Sequence, residues 1–161
     1  MFALIENNEV TQVGEPAALF PNTSGVTAEF AIEQGAKEVI EGERKDERFY
    51  WVTFSHYEVT GDTVTRVYTN TPKQLDDDGT VKGLKSQWIA QEKSIANYAL
   101  GATDWMVIRK AERGVEIPAD VAAERAKIIA DCTAKEAAIN AATTVDELMA
   151  VVAPVNMGEP K

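Results

Sequence analysis

The chain has 161 residues, 45% hydrophobic and 26% charged, with 16 basic against 26 acidic side chains, one histidine and one cysteine. That length accommodates one core or two small ones, and the composition is that of a folding chain. A net charge of -10 argues against nucleic acid as a partner, Cys132 alone excludes an intrachain disulfide, and Met1 to Glu6 lacks the basic leader or long apolar run that would target or span a membrane.

Residues 2–5 (Phe-Ala-Leu-Ile) and 9–13 (Glu-Val-Thr-Gln-Val) flank Glu6-Asn7-Asn8, which predicts an N-terminal hairpin. Glycines and prolines punctuate 14–46, so loops are expected there, with one short element around Ala28 to Ile32. The clearest strand signal follows. Arg48 to Thr60 and Thr63 to Asn70 are rich in β-branched and aromatic residues and meet at Gly61-Asp62, a loop suited to a tight hairpin. Strict alternation places Phe49, Trp51, Thr53, Ser55, Tyr57 and Val59 on one face of the first strand, with Tyr50, Val52, Phe54, His56 and Glu58 on the other. Aromatic residues on both faces leave neither cheaply exposed to water, so the sheet's own loops and the helices, or a partner, must cover them.

Thr71 to Gly79 is a Pro, Asp and Gly cluster, the expected connection between two halves. The charge changes with it: residues 1–79 hold 15 acidic and 6 basic side chains, residues 80–161 hold 11 and 10. The acidity of the first half fits either a solvated face or a docking surface for a basic patch. Beyond it the period becomes helical. Leu84, Trp88, Ile95 and Tyr98 form one stripe of a helix closed by Gly101. A short helix is predicted from Thr103 or Asp104 to Gly114, and a long one from Pro118 to about residue 141 with a stripe of Val121, Ile128, Cys132 and Ile139. Thr144-Val145-Asp146-Glu147 is a capping box opening a last helix through Leu148 and Val151, and 154–161 reads as a flexible tail. The fold class is therefore α+β. A small N-terminal antiparallel β module (1–75) leads through a connection (76–83) to a helical hairpin or bundle (84–153).

Familiar catalytic chemistry has little material here. One His and one Cys in different predicted elements argue against a dyad of Cys132 with His56 and against a zinc site. The run Asp76-Asp77-Asp78-Gly79 lacks the glutamate a calcium loop needs at its twelfth position, where Gln87 stands. No Gly-rich phosphate loop occurs. Neither a cofactor nor a metal is expected.

Thr103-Asp104-Trp105, Arg109, Gly114, the Ile117-Pro118 pair and a following helix with Arg125 make a pattern across the last third to half of the chain. It resembles the C-terminal segment of small tail proteins of tailed bacteriophages, in the neighbourhood of tail fibre assembly proteins. The opening Met-Phe-Ala-Leu-Ile-Glu-Asn-Asn-Glu-Val resembles the small β module with which such proteins start. Glu124-Arg125 stands where related segments carry Tyr-Arg, and a closing Trp-Pro-like segment is absent. The resemblance implies a non-catalytic protein of the virion tail, assembled in the host cytoplasm, that binds a tail fibre or baseplate subunit as an assembly factor or as a resident component. In that pattern Asp104 caps, Trp105 and Ile108 pack into the bundle, and Arg109 and Arg113 reach outward. The expected partner-binding residues are Phe49, Tyr50, Trp51, Phe54, Tyr57, Trp88, Trp105 and Arg109. A self-associating structural protein (a homo-oligomer) and a small enzyme using scattered carboxylates are the alternatives.

Overall fold

A computed structural model describes residues 1–152, and the tail expected at 154–161 lies outside them. The chain is α+β, with a sheet in its first half and helices in its second. It divides into two units, Met1–Pro72 and a second beginning at Lys73.

The first unit is a five-stranded sheet in the order β2-β1-β3-β5-β4. β1 (Phe2–Glu6) and β2 (Glu9–Gly14) form the N-terminal hairpin. Its loop residues, Asn7 (φ 53) and Asn8 (φ 66), both take the left-handed conformation that asparagine tolerates better than most residues. β4 (Tyr50–Thr60) and β5 (Thr63–Pro72) form the second hairpin, turning at Gly61 with φ 54. Between the hairpins sits β3 (Lys37–Glu41), antiparallel to β1 and parallel to β5, so the sheet is mixed where an antiparallel one was expected. A parallel neighbour requires a long connection, and the whole β4 strand with its approach supplies it. The edge strands β2 and β4 approach one another, which curls the sheet.

Two short helices occupy the glycine-punctuated region. α1 (Pro16–Leu19) starts on Pro16, and α2 (Ala28–Glu33) is capped by Thr27, whose Oγ1 accepts from Phe30 N at 3.2 Å. Leu19, Ala31 and Ala36 are buried with Phe2, and Leu4 and Phe20 pack against them. The strand register places Ala3, Val39 and Val64 on the opposite face, where Ala3 and Val64 are fully buried.

The second unit contains α3 (Leu84–Gly101), α4 (Asp104–Arg113), α5 (Ala119–Ala141) and α6 (Val145–Val152). α3 and α5 pair side by side, joined by Glu92–Lys135 at 2.9 Å and Lys93–Glu136 at 3.0 Å. The α5 stripe of Val121, Ile128, Cys132 and Ile139 lies on the partly or fully buried side of that helix. The α3 stripe expected from Leu84, Trp88, Ile95 and Tyr98 is only half covered. Leu84 is buried and Trp88 half-buried, but Ile95 is 56% and Tyr98 88% exposed. The seam on α3 runs instead through Ile89, Glu92, Ala96 and Leu100, a stripe that substitutes one carboxylate and one alanine for larger apolar groups.

Two helix ends follow local chemistry, whereas the side-chain cap expected at Thr103 or Asp104 is not formed at the start of α4. Gly114 closes α4 at φ 64, donating its N–H to Lys110 O. The capping box is formed at α6: Glu147 N donates to Thr144 Oγ1 at 3.1 Å, and Thr144 N returns the bond to Glu147 Oε2 at 3.2 Å. Thr143 contributes the largest share of the hydrogen bonding that holds the Glu147 carboxyl below its ordinary pKa. Arg125, on α5, donates to Leu100 O, Thr103 Oγ1 and Asp104 Oδ1, tying the end of α3 to the start of α4.

The acidic run 76–78 has a structural use. Asp77 Oδ1 accepts from Gly83 N at 2.9 Å, and its other oxygen accepts from Lys82 Nζ at 2.7 Å. Lys82 first, then the Ser86 hydroxyl and the Gly83 N–H, pull the Asp77 carboxyl from 3.8 to about 2. This carboxylate therefore sits at the N-terminal, positive end of α3, whose own preceding residue is a glycine with no side chain to cap. Since the folded pKa lies below the unfolded one, the stabilisation is complete above about pH 4 and drains as pH falls through the folded value. Asp77→Asn should flatten the acid limb of melting temperature against pH, and an unaltered limb would remove this role. Gly83 is also sterically fixed, because a Cβ there would lie 2.4 Å from Asp76 C and O and 2.6 Å from Leu75 O. All are backbone atoms. Gly83→Ala should lower stability by about 2–3 kcal/mol, read by urea denaturation.

Candidate functional site

The β4–β5 hairpin does not alternate as strict periodicity expects. Phe54 pairs with Tyr68 and His56 with Val67, so Ser55 bulges out of register. One extra residue reverses the facing of all that follows it. Tyr57 and Val59 consequently join Tyr50, Val52 and Phe54 on one face of β4, opposite Val64, Arg66, Tyr68 and Asn70 of β5. The other face carries Trp51, Thr53, His56, Glu58 and Thr60 against a β5 row that is threonine at Thr63, Thr65, Thr69 and Thr71. Aromatics remain on both faces, with Trp51 on the second, but the bulge moves Tyr57 to the side of Phe54, their ring centroids 4.9 Å apart.

Arg66 lies across from Tyr57 and within this cluster. Its guanidinium carbon is 5.5 Å from the centroids of both Phe54 and Tyr68, and Arg44 covers Tyr68 at 4.9 Å. Glu41, brought alongside by the parallel β3–β5 pairing, binds both members: Tyr68 Oη donates to its Oε2 at 2.5 Å and Arg66 Nη1 stands 3.5 Å from its Oε1. The Tyr68 hydrogen bond holds the Glu41 carboxyl below its ordinary range, Arg66 adding to this, and the same bond raises the tyrosine. Neither is thereby poised to exchange a proton near neutrality. Phe54 is 46% exposed, and the Arg66 Nε, shielded from solvent, makes no hydrogen bond. Rings, a guanidinium and a hydrogen-bonded carboxylate thus share one face of the sheet, side-chain types that protein interfaces favour.

The other residues expected to bind a partner are distributed differently. Phe49 and Tyr50 are buried, at 1% and 5% exposure, which takes them off the accessible surface. The Lys45 ammonium covers the Tyr50 ring and the Arg48 guanidinium the Phe49 ring. Trp51 is exposed and Trp88 half-buried. In α4, Trp105 and Ile108 are more than half exposed, so their expected packing into the bundle is overturned. Arg109 does not simply reach outward: its guanidinium lies 4.8 Å from the Trp105 ring centroid, and the side chain is partly buried.

Sequence reasoning missed Arg66, Tyr68, Glu41 and Arg44. The alternation of Arg66 with Tyr68 on a predicted strand was available as a signal, but Glu41 joins them only through the pairing of β3 with β5. Among the described residues no group of three or more His, Cys, Asp or Glu side chains is arranged to hold a metal ion, and no helix is long and apolar enough to cross a membrane. Burial, more than Glu136, raises the Cys132 thiol above its ordinary pKa, the setting of an unreactive cysteine. No protein-family model, curated protein or solved structure matches the chain significantly.

Proposed function

We propose that this chain is a non-catalytic tail protein of a tailed bacteriophage, binding a tail fibre or baseplate subunit during assembly or within the virion tail. The observation that carries the binding role is the cluster of exposed Phe54 with half-buried Tyr57, Arg66 and Tyr68, held beside Glu41. Aromatic and arginine side chains provide large contact areas at low entropic cost, and they dominate the energetics of protein interfaces. The phage assignment comes from the Thr103-Asp104-Trp105, Arg109 and Gly114 pattern with Pro118 and Arg125.

Co-expression with tail fibre and baseplate proteins, followed by size-exclusion chromatography, tests both parts. A complex should co-elute, and Phe54→Ser with Tyr57→Ser should abolish co-elution while leaving the melting temperature of the isolated chain nearly unchanged. If neither fibre nor baseplate subunits are retained by the wild-type chain, and purified virions lack it, the reading fails.

A further inference from the structure

The α3–α5 pair has an apolar flank that the described residues of the second unit leave open. Ile95, Ala96 and Ala99 of α3 face a groove shared with Ile128 and Cys132 of α5, and Asp131 and Lys135 form its charged side. Next to it Tyr98 is 88% exposed. Two helices alone cannot enclose such a flank, whereas four can. The pattern of side chains along the flank identifies what would complete it.

We infer that this flank seats the same flank of a second copy, forming an antiparallel, two-fold four-helix assembly. Glu124, Ile128, Asp131 and Lys135 recur at steps of four, three and four, and so lie on one stripe of α5. An antiparallel two-fold axis midway between Ile128 and Asp131 sets Glu124 of each copy opposite Lys135 of the other. Glu124 and Lys135 are thus complementary in charge across the reversed copy, while Asp131, ion-paired with Lys127 of its own chain at 2.8 Å, comes opposite Ile128. The ion pairs within the chain locate the same level on α3. Glu92 meets Lys135 and Lys93 meets Glu136, while Arg125 reaches Leu100, so the middle of the α5 stripe faces α3 near Asn97. Ile95 and Tyr98 straddle that level, and the same axis brings Ile95 of one copy against Tyr98 of the other. Lys135 remains 41% exposed despite its bond to Glu92, leaving ammonium donors for a second carboxylate. The half of the chain that carries these helices is also nearly neutral, with 11 acidic against 10 basic residues, so two copies meet there without the repulsion that the first half would bring.

Sedimentation velocity of the full chain over a wide concentration range tests this, independently of what the sheet surface binds. A reversible dimer is expected. Tyr98→Glu, at a site too exposed to affect the monomer fold, should abolish the dimer with an unchanged circular dichroism spectrum. Glu124→Lys, which opposes like charges twice, should weaken association by about tenfold or more. Ile129→Glu alters the opposite groove, shared with Asn97 and Thr133, and should leave the dimer intact. A monomer at all concentrations, a trimer, or a dimer broken by Ile129→Glu but not by Tyr98→Glu overturns the inference.

Discussion

Replacing Phe49 with alanine should cost about 3–5 kcal/mol of folding stability, the usual range for removing a fully enclosed aromatic ring. Phe49 is 1% exposed, the largest of the fully buried side chains, and stands at the foot of β4 with its N–H bonded to Asp46 O at 2.9 Å. Truncation removes the transfer free energy of the ring and leaves a cavity in its place. Against a typical total of about 5–15 kcal/mol, that is enough to populate unfolded chains at ambient temperature. Urea denaturation followed by tryptophan fluorescence gives the number directly. Phe54→Ala is the matched comparison, since its ring is nearly half exposed and should change stability by less than about 1 kcal/mol. A Phe49→Ala protein as stable as wild type would show that the ring's burial contributes no cohesion.

Leu148→Ala should be the most damaging single truncation in the helical unit, at about 2–5 kcal/mol. α6 has eight residues, too few to be helical in isolation, so it must be held by contacts. Val145, Leu148 and Val152 are its buried residues, one turn apart, and Ile139 and Ala142 are buried at the end of α5 against which it packs. Leu148 is at 0% exposure in the middle of this row. The Thr144–Glu147 box sets where α6 begins but is exposed and does not substitute for packing. Amide hydrogen exchange should show α6 losing protection first in Leu148→Ala, with the α3–α5 amides following only on global unfolding. Retained α6 protection together with an unchanged melting temperature would contradict this assignment of the core.

The two truncations separate cohesion from recognition. Phe49 and Leu148 are enclosed; Phe54, Tyr57, Tyr98 and Trp105 are at least partly open to solvent. Substitutions in the second group should therefore alter what the chain binds more than whether it folds. This difference lets a binding defect be interpreted without the ambiguity of partial unfolding.

Elements governed by a few consecutive residues were legible in the sequence. Asn7-Asn8 and Gly61 supply the backbone conformations of their turns, Gly114 closes α4, and Thr144 with Glu147 opens α6. Each is decided by hydrogen bonds or steric freedom spanning no more than about five residues, which the sequence displays directly. Tertiary structure alone decided the rest. β3 reads Lys-Glu-Val-Ile-Glu, without the alternation of a half-buried strand, yet it holds the centre of the sheet because β1 and β5 both pair with it. The bulge at Ser55 leaves no mark in composition; it exists only in the register against β5, and it determines which rings share a face with Arg66. On α3 the periodicity offered Ile95 and Tyr98, whereas packing against α5 selected Glu92, Ala96 and Leu100, because Lys135 neutralises the carboxylate and a small alanine lets the helices approach. Local chemistry thus set where elements begin and end, while pairing and packing set which side chains they enclose and which they present.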